Sequence, residues 1–340
     1  MSVTSFDFVV IGGGITGLWT TLHLAERGLR VRLLEKSNGL GGATAHSGAG
    51  IRYYDPDSAI SAHVERSMEI CQRVMSRLPF VPCRSIYAID KDNKLYADAL
   101  TRGYDVLTPK KISMKYPALT WNKSLMGILD KRAGYMNSEK VCQMLRGICR
   151  DFGATLDYGC EAFDIDNDSV ALTVHTSNGL IHTDRVVLAT SYWTSRLLEK
   201  FGIANSFINR TVTINYLDAV GHVRLPFIVE NDTGFHMRPT LGGGLLFGVP
   251  HLDWNVCPDR LPDYTIENRK AALLKLSEYV PLASTNIPIK TVVSADSFSE
   301  TPDDGFSFWD GRLHVLASGR GSSFKYAPST TLDYINNILR

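Results

Sequence analysis

The chain has 340 residues, enough for one large or two ordinary domains, and 44% hydrophobic against 21% charged residues is a globular composition. A formal net charge of +1 without a long basic run argues against a polyanion partner, nucleic acid included. No apolar stretch reaches the length of a membrane span, the N-terminal apolar run has no basic flank of a secretory signal, and six cysteines without CxxC or metal-ligand spacing read as reduced thiols, so a cytoplasmic protein is expected.

Phe6 to Ile11 is a nearly continuous apolar run, the pattern of a buried parallel strand. Gly12-Gly13-Gly14-Ile15-Thr16-Gly17 follows and contains G-x-G-x-x-G. Gly12 permits the tight turn, Gly14 lets the backbone approach a pyrophosphate, and Gly17 lets the next helix pack closely on the strand. N–H groups at the helix start, with the helix dipole behind them, favour phosphate charge. Leu18, Leu22 and Ala25 give that helix an apolar face, Gly28 stands where it should end, and Val31–Leu34 is the second strand. Glu35 closes the strand, where an acid can accept from both ribose hydroxyls of an adenosine. Strand, glycine turn, helix and acid together define a dinucleotide site, which the glycines alone would not.

From Lys36 to Arg52 the chain is mostly small residues, among them Gly42, Ala43, Thr44 and Gly50, with His46 and Arg52 the other large polar groups. After a ribose-binding acid, such a stretch reads as backbone pressed against a flat ligand. Residues 57–77 have helical spacing, entered through Asp55-Pro56. Residues 84–101 read as a hairpin around Asp92-Asn93, and Pro109–Tyr116 as a short helix stopped by Pro117. Gly127–Asn137 reads as a loop leading to a helix over 138–152, capped by Asn137 or Ser138. Ala154–Tyr158 is a strand, 170–175 and 180–182 form a ribbon around Ser177-Asn178-Gly179, and 186–190 is a further buried strand. Stretches 211–219, 227–230 and 245–249, with a helix near 266–279, form an antiparallel sheet with a helix on it. Thr301-Pro-Asp-Asp-Gly305 returns the chain to the first domain, Leu313–Ala317 is a last strand, and Ser318–Ser323 is a second small-residue turn before a closing helix.

These segments resemble the D-amino-acid oxidase superfamily of flavoproteins, in its glycine-oxidase and monomeric-sarcosine-oxidase branch. The resemblance runs over nearly the whole chain: VVIGGGITGLWTTLHLAERGLRVRLLEK, GGATAHSGAGIR, GILDKRAGYMN with DFGATLDYG, RVVLATSYWTSRLLEKFGI, GFHMRPTLGGGLLFG, and ETPDDGF with LHVLASGRGSSFKYAPSTT. It implies an α/β fold: a Rossmann-like FAD-binding domain of glutathione-reductase type, with an antiparallel β-sheet plus helix substrate domain. The expected boundaries are 1–85, 135–205 and 300–340 for the FAD-binding domain and 86–134 and 206–299 for the substrate domain.

The resemblance also implies FAD as cofactor and removal of two electrons from a C–N bond. The cofactor would lie against Gly12, Gly14, Ile15, Thr16, Gly17, Glu35, Lys36, Gly42, Ala43, Thr44, His46 and Gly50. The closing segment Gly319, Gly321, Ser322, Ser323, Phe324 and Lys325 would complete that site. Arg52 and Lys325 match the positions that meet a substrate carboxylate, and His236, in FHMRP beside Arg238, would line the pocket. Tyr53 and Tyr54 would shape its mouth. Members with cysteinyl FAD carry a cysteine just before TPD; Asp296 stands there, so FAD is expected to be non-covalent. His46 lies near a position of histidyl linkage in other members and is read as a non-covalent polar contact or a packed loop histidine. Gly321-Ser322-Ser323 departs from the usual closing sequence, Ser191 replaces a glycine, and the arginine before TPD of D-amino-acid oxidases is absent. Small amines or amino acids bearing a carboxylate are the expected substrates, with O2 or a quinone as electron acceptor and the oligomeric state left open. Three alternatives stand beside this reading: oxidation of a 2-hydroxy acid with His236 or His46 as base, a flavin binder without turnover, and a nicotinamide-only dehydrogenase.

Overall fold

The computed structural model describes residues 5–122, 124–168, 171–218, 224–263, 265–280, 290–299, 306–317 and 319–340. Thr301-Pro-Asp-Asp-Gly305, Ser318, and the ends of the stretches read at 170–175 and 211–219 lie outside the described residues.

Phe6–Ile11 is a central strand, parallel to Val31–Glu35 on one side and to Gly179–Leu188 on the other. Thr155–Tyr158 extends the sheet beyond Val31–Glu35, and Leu313–Val315 joins Gly179–Leu188 in parallel. Among the described residues this sheet has eight strands, with Ala162–Asn167 and Leu172–Thr176 at the other edge and Phe306–Phe308 paired to Leu313–Val315. The ribbon arm and the buried strand expected separately at 180–182 and 186–190 are one strand, Gly179–Leu188. Its first half pairs antiparallel with Leu172–Thr176 and its second half parallel with Phe6–Ile11. Asp184 and Arg185 interrupt the apolar pattern without interrupting the ladder.

Helices Ile15–Ala25, Ser58–Val74, Ser138–Asp151 and Ser323–Ile338 share a core of Leu18, Leu22, Val64, Met68, Leu145 and Ile335. Asp57 caps the second of these by accepting from Ala59 N at 2.8 Å, and Asn137 caps the third by accepting from Lys140 N at 2.8 Å. The first ends at Ala25, with Gly28 three residues beyond in a left-handed turn.

The second sheet has nine strands among the described residues and runs Pro250–Trp254, Phe207–Leu217, Leu245–Gly248, His236–Pro239, Phe227–Glu230, Ser85–Asp90, Leu125–Asp130, Asp105–Leu107. Lys290–Ser299 pairs along the whole of Phe207–Leu217. All its pairs are antiparallel except Phe227–Glu230 with Ser85–Asp90. Ile266–Tyr279 packs on it through Ala272, Leu276 and Tyr279.

Two expectations fail here. Residues 84–101 are no hairpin. Ser85–Asp90 takes its partners from Phe227–Glu230 and Leu125–Asp130, and Leu95–Thr101 is a helix, with Asn93 Oδ1 accepting from Leu95 N at 3.0 Å. Gly127–Asn137 is no continuous loop either, since it holds most of Leu125–Asp130 and all of Gly134–Met136. The glycine that suggested a loop marks close packing: a β-carbon on Gly127 would stand 2.6 Å from Ile86 Cγ2. Gly134–Met136 pairs with Gly50–Ile51 and Phe80–Pro82 in a small three-stranded sheet. No helix among the described residues is long and apolar enough to cross a membrane.

The tightest approach in the first sheet is between Gly17 and the glycine turn: a β-carbon on Gly17 would sit 1.9 Å from the Gly12 carbonyl oxygen. That atom is backbone, so the clash has no side-chain relief. Gly17→Ala is expected to cost on the order of 3 kcal/mol or more in stability and to weaken retention of the expected dinucleotide, checked by denaturant unfolding and by the visible absorbance of the purified protein.

Candidate functional site

One cavity of about 470 Å³ runs from the glycine turn at the edge of the first sheet to the face of the second. At its first end Gly12 has φ +111°, and a β-carbon there would meet the Ala189 carbonyl oxygen at 2.4 Å. Glu35 is already engaged. Its Oε2 accepts from Gly13 N at 2.7 Å and its Oε1 from Ser37 N at 2.9 Å. Each carboxylate oxygen keeps a further lone pair for a hydroxyl donor, so the acid remains able to hold a ribose. Thr44 Oγ1 accepts from Ile15 N at 3.1 Å, taking one of the N–H groups that the sequence leaves for phosphate. Lys36 Nζ lies 3.8 Å above the Trp193 ring and 3.6 Å from Asp259 Oδ1. Trp193 Nε1 donates to the same carboxylate at 2.9 Å, and Arg196 pairs with it. Lys36 therefore fastens the rim of the cavity.

Gly12, Gly14, Ile15, Thr16, Glu35, Lys36, Gly42, Ala43, Thr44, His46 and Gly50 all line this one space. So do Gly319, Gly321, Ser322, Ser323, Phe324, Lys325, Arg52 and His236, delivered from distant parts of the chain. Gly17 does not line it; its place is in the strand–helix contact. His46 follows the short helix Gly42–Ala45, and burial with Lys290 nearby lowers its pKa.

At the far end Arg52 follows the strand Gly50–Ile51. Its guanidinium carbon lies 5.9 Å from the Tyr87 ring centroid and 5.6 Å from that of Phe227, and its Nη1 is buried with no hydrogen-bond partner among the described residues. Lys325 lies in the first turn of Ser323–Ile338, only 3% exposed, with Nζ 2.7 Å from Asp55 Oδ2. Burial and then the Arg52 charge push its pKa down to about 8, against the opposing pull of Asp55. His236 opens the strand His236–Pro239, with Nδ1 3.4 Å from the Gly234 carbonyl oxygen, and burial lowers its pKa. Arg238 is a fastener: its Nε donates to Gly48 O at 2.7 Å, its Nη1 to Pro239 O at 2.9 Å, and it lies over the Tyr135 ring. Tyr53 and Tyr54 do not line the cavity. Tyr54 is buried edge-on against Tyr87 and Tyr104, and Tyr53 lies under Arg132, so both are packing residues.

The sequence missed Arg210 as a cavity residue and noted Asp296 only as the residue in place of a cysteine. They stand directly across from one another on Phe207–Leu217 and Lys290–Ser299, and both line the cavity. Arg210 Nε is buried without a hydrogen-bond partner among the described residues. Asp296 lies against the closing turn, where a β-carbon on Gly321 would be 2.4 Å from its Oδ2. Burial raises its pKa to about 6, with Arg210 opposing. Only the pairing of these two strands reveals the pair.

A Rossmann-type sheet whose glycine turn, ribose acid and closing segment open on one long cavity is the architecture of a dinucleotide-dependent oxidoreductase. The profile of the family "FAD dependent oxidoreductase" (DAO) matches residues 7–330, and the chain belongs to that family. Mitochondrial dimethylglycine dehydrogenase of Mus musculus is 25% identical over 266 residues; the match covers 71% of this chain but 30% of that protein. Monomeric sarcosine oxidase of Bacillus sp. (strain B-0618) is 23% identical over 356 residues, covering 95% of this chain and 90% of the relative. Among solved structures, L-proline dehydrogenase from P. horikoshii superposes with a TM-score of 0.85 at 20% identity, covering 98% of this chain and 94% of that one. Glycine oxidase from Geobacillus kaustophilus gives 0.80 at 20% identity, with 99% and 95% covered. The chain thus belongs to a family of FAD-dependent oxidoreductases, and the cavity fits FAD: glycine backbone at one end, buried donors without partners among the described residues along the middle, and a length that joins both sheets.

Asp296 gives this site a measurable signature. Its pKa of about 6 in the fold stands above the model-peptide 3.8, so the fold opposes its ionisation. The cost is absent below about pH 4, grows as pH rises and is complete above about pH 6. In FAD-stripped protein, Asp296→Asn is expected to be more stable than the wild type at pH 8 and equal to it at pH 4, read from thermal unfolding at the two pH values.

Proposed function

We propose that the protein oxidises the C–N bond of an amino acid or secondary amine that carries a carboxylate. The observation that carries this reading is the Arg52 Nη1 donor, buried and without a partner among the described residues, beside the Lys325 ammonium in the same cavity. A planar guanidinium next to a buried ammonium is a receptor for a carboxylate. FAD, when bound, would supply the acceptor for a hydride, which carries the two electrons removed as the C–N bond becomes an imine. The chain's own residues do the rest. Arg52 and Lys325 hold the carboxylate and so fix the carbon to be oxidised. The cavity walls keep water from the reacting bond. Asp55 holds Lys325 in place. No base is required once the amine is neutral, and the electrons then leave to O2 or a quinone.

In the same reading FAD is held without a covalent bond, supported by Ser294-Ala295-Asp296-Ser297 where a linking cysteine would stand. The discontinuous FAD-binding domain is 1–85, 135–205 and 300–340, with 86–134 and 206–299 as substrate domain. Six cysteines without a disulfide support a reducing, cytoplasmic setting. Oxidation of a 2-hydroxy acid is the second reading. It is favoured by His236, whose imidazole is held towards its neutral form by burial and whose Nδ1 faces a carbonyl, leaving Nε2 to accept a proton.

Anaerobic addition of amino acids, N-methyl amino acids and 2-hydroxy acids to the purified flavoprotein separates the two. Bleaching of the flavin band by an amine supports the first reading, and bleaching by hydroxy acids alone supports the second. Acid precipitation is expected to release the flavin into the supernatant. Propionate, a carboxylate without an amine, is expected to bind the holoenzyme and to weaken as pH rises through about 8, because Lys325 loses its proton there. Lys325→Met is expected to bind propionate roughly tenfold more weakly below pH 8 and to lose that pH limb, with FAD retained. An unchanged propionate Kd would remove Lys325 from the site.

A further inference from the structure

Asp130 closes the strand Leu125–Asp130 and is 1% exposed. Its two oxygens accept four backbone N–H groups. Oδ2 takes Tyr53 N at 2.6 Å and Tyr54 N at 3.1 Å; Oδ1 takes Arg132 N at 2.9 Å and Ala133 N at 3.1 Å. The first pair immediately follows Arg52. The second pair is the turn after Asp130's own strand. One carboxylate therefore ties the segment bearing Arg52 to the end of the second sheet.

Other contacts show how far that segment is referenced to the same sheet. Arg102, at the end of the helix Leu95–Thr101, donates to the Asp55 carbonyl oxygen at 2.8 Å and to Ser61 Oγ at 2.6 Å. The Arg52 head lies between Tyr87 and Phe227, on strands Ser85–Asp90 and Phe227–Glu230. Ser85 and Asp130 are direct cross-strand partners, so the anchor and the aromatic walls belong to adjoining strands. The backbone that follows Arg52 and its guanidinium head are thus both located by adjoining strands of one sheet.

We propose that Asp130 is a positioning residue for the carboxylate receptor, acting on Arg52 through the backbone N–H groups of Tyr53 and Tyr54. The inference rests on the reading of Arg52 given above. The chemistry requires a carboxylate here. Both oxygens of an aspartate only accept, whereas asparagine must turn an NH2 towards one of the two N–H pairs. Whichever way the amide faces, two buried N–H groups lose their acceptor, and either the Arg52 segment or the 132–133 turn is released. A small displacement of a charged receptor weakens binding steeply, because both the charge and the direction of its donors are spent on one ligand geometry.

The test uses the holoenzyme and propionate, with Kd read from the perturbed flavin spectrum. Asp130→Asn is expected to weaken propionate by about tenfold, with FAD Kd within threefold of the wild type. With any amine found to bleach the flavin, KM should rise in parallel while kcat at saturation stays within threefold. A merely structural carboxylate would lower the melting temperature and leave the Kd alone. Asp130→Glu keeps all four acceptors and shifts them by one methylene, so it tests the point even where the asparagine variant fails to fold; several-fold weaker propionate is expected. A folded variant of either kind with the wild-type propionate Kd would overturn the proposal. Arg52→Met serves as the reference: if it leaves the propionate Kd unchanged, the carboxylate reading of Arg52 falls, whatever Asp130 does.

Discussion

A β-carbon on Gly17 would sit almost on the carbonyl oxygen of Gly12, and the rest of the molecule depends on that contact. It sets how closely the first helix lies on the central strand. That distance sets where the helix start and the Glu35 carboxylate meet. Glu35 in turn accepts from Gly13 N, which locks the glycine turn to the end of the second strand. The end of the cavity proposed for phosphate and ribose is thus built around the first 35 residues, with Ser37, Thr44 and Ala189 added from beyond them.

The opposite end is specified by convergence. Arg52 comes from a two-residue strand, Lys325 from the closing helix, and His236 from a strand of the second sheet. The two cations are kept apart in function by their partners. Lys325 is paired with Asp55 and sits near the point of losing its proton, while Arg52 has an orphaned donor between two aromatic faces. In the proposed receptor Arg52 supplies a planar fork of donors, and Lys325 supplies charge that depends on pH. Between the ends, Asp296 and Arg210 put opposite charges across one strand pair in the cavity wall.

Much of this was legible because its causes are local. The glycine turn, the acid after the second strand and the small-residue runs at 42–50 and 319–323 each carry their reason in adjacent residues. The helix cap at Asn137 was legible on the same ground, whereas the cap at Asp57 was not named by the Asp55-Pro56 entry signal. What failed did so where a residue's meaning is set by a distant neighbour. Gly127 reads as a loop until Ile86 is seen filling its side-chain space, and Asp92-Asn93 reads as a hairpin turn until Ser85–Asp90 is seen to pair elsewhere. Asp130 carries no local signal, because its four donors come from two segments that only the fold brings together. Tyr53 and Tyr54 misled for the opposite reason: adjacency to Arg52 in sequence is not adjacency to the cavity.

The central claim is that the substrate is recognised by its carboxylate. Comparing the rates of anaerobic flavin reduction by an amino acid and by its own amide tests this most directly, since the two share the amine and the C–H bond and differ in charge. The account predicts that the amide reduces the flavin at least about tenfold more slowly at subsaturating concentration, the loss expected when charge-assisted hydrogen bonds to Arg52 and Lys325 go unmade. Equal rates for acid and amide would contradict it.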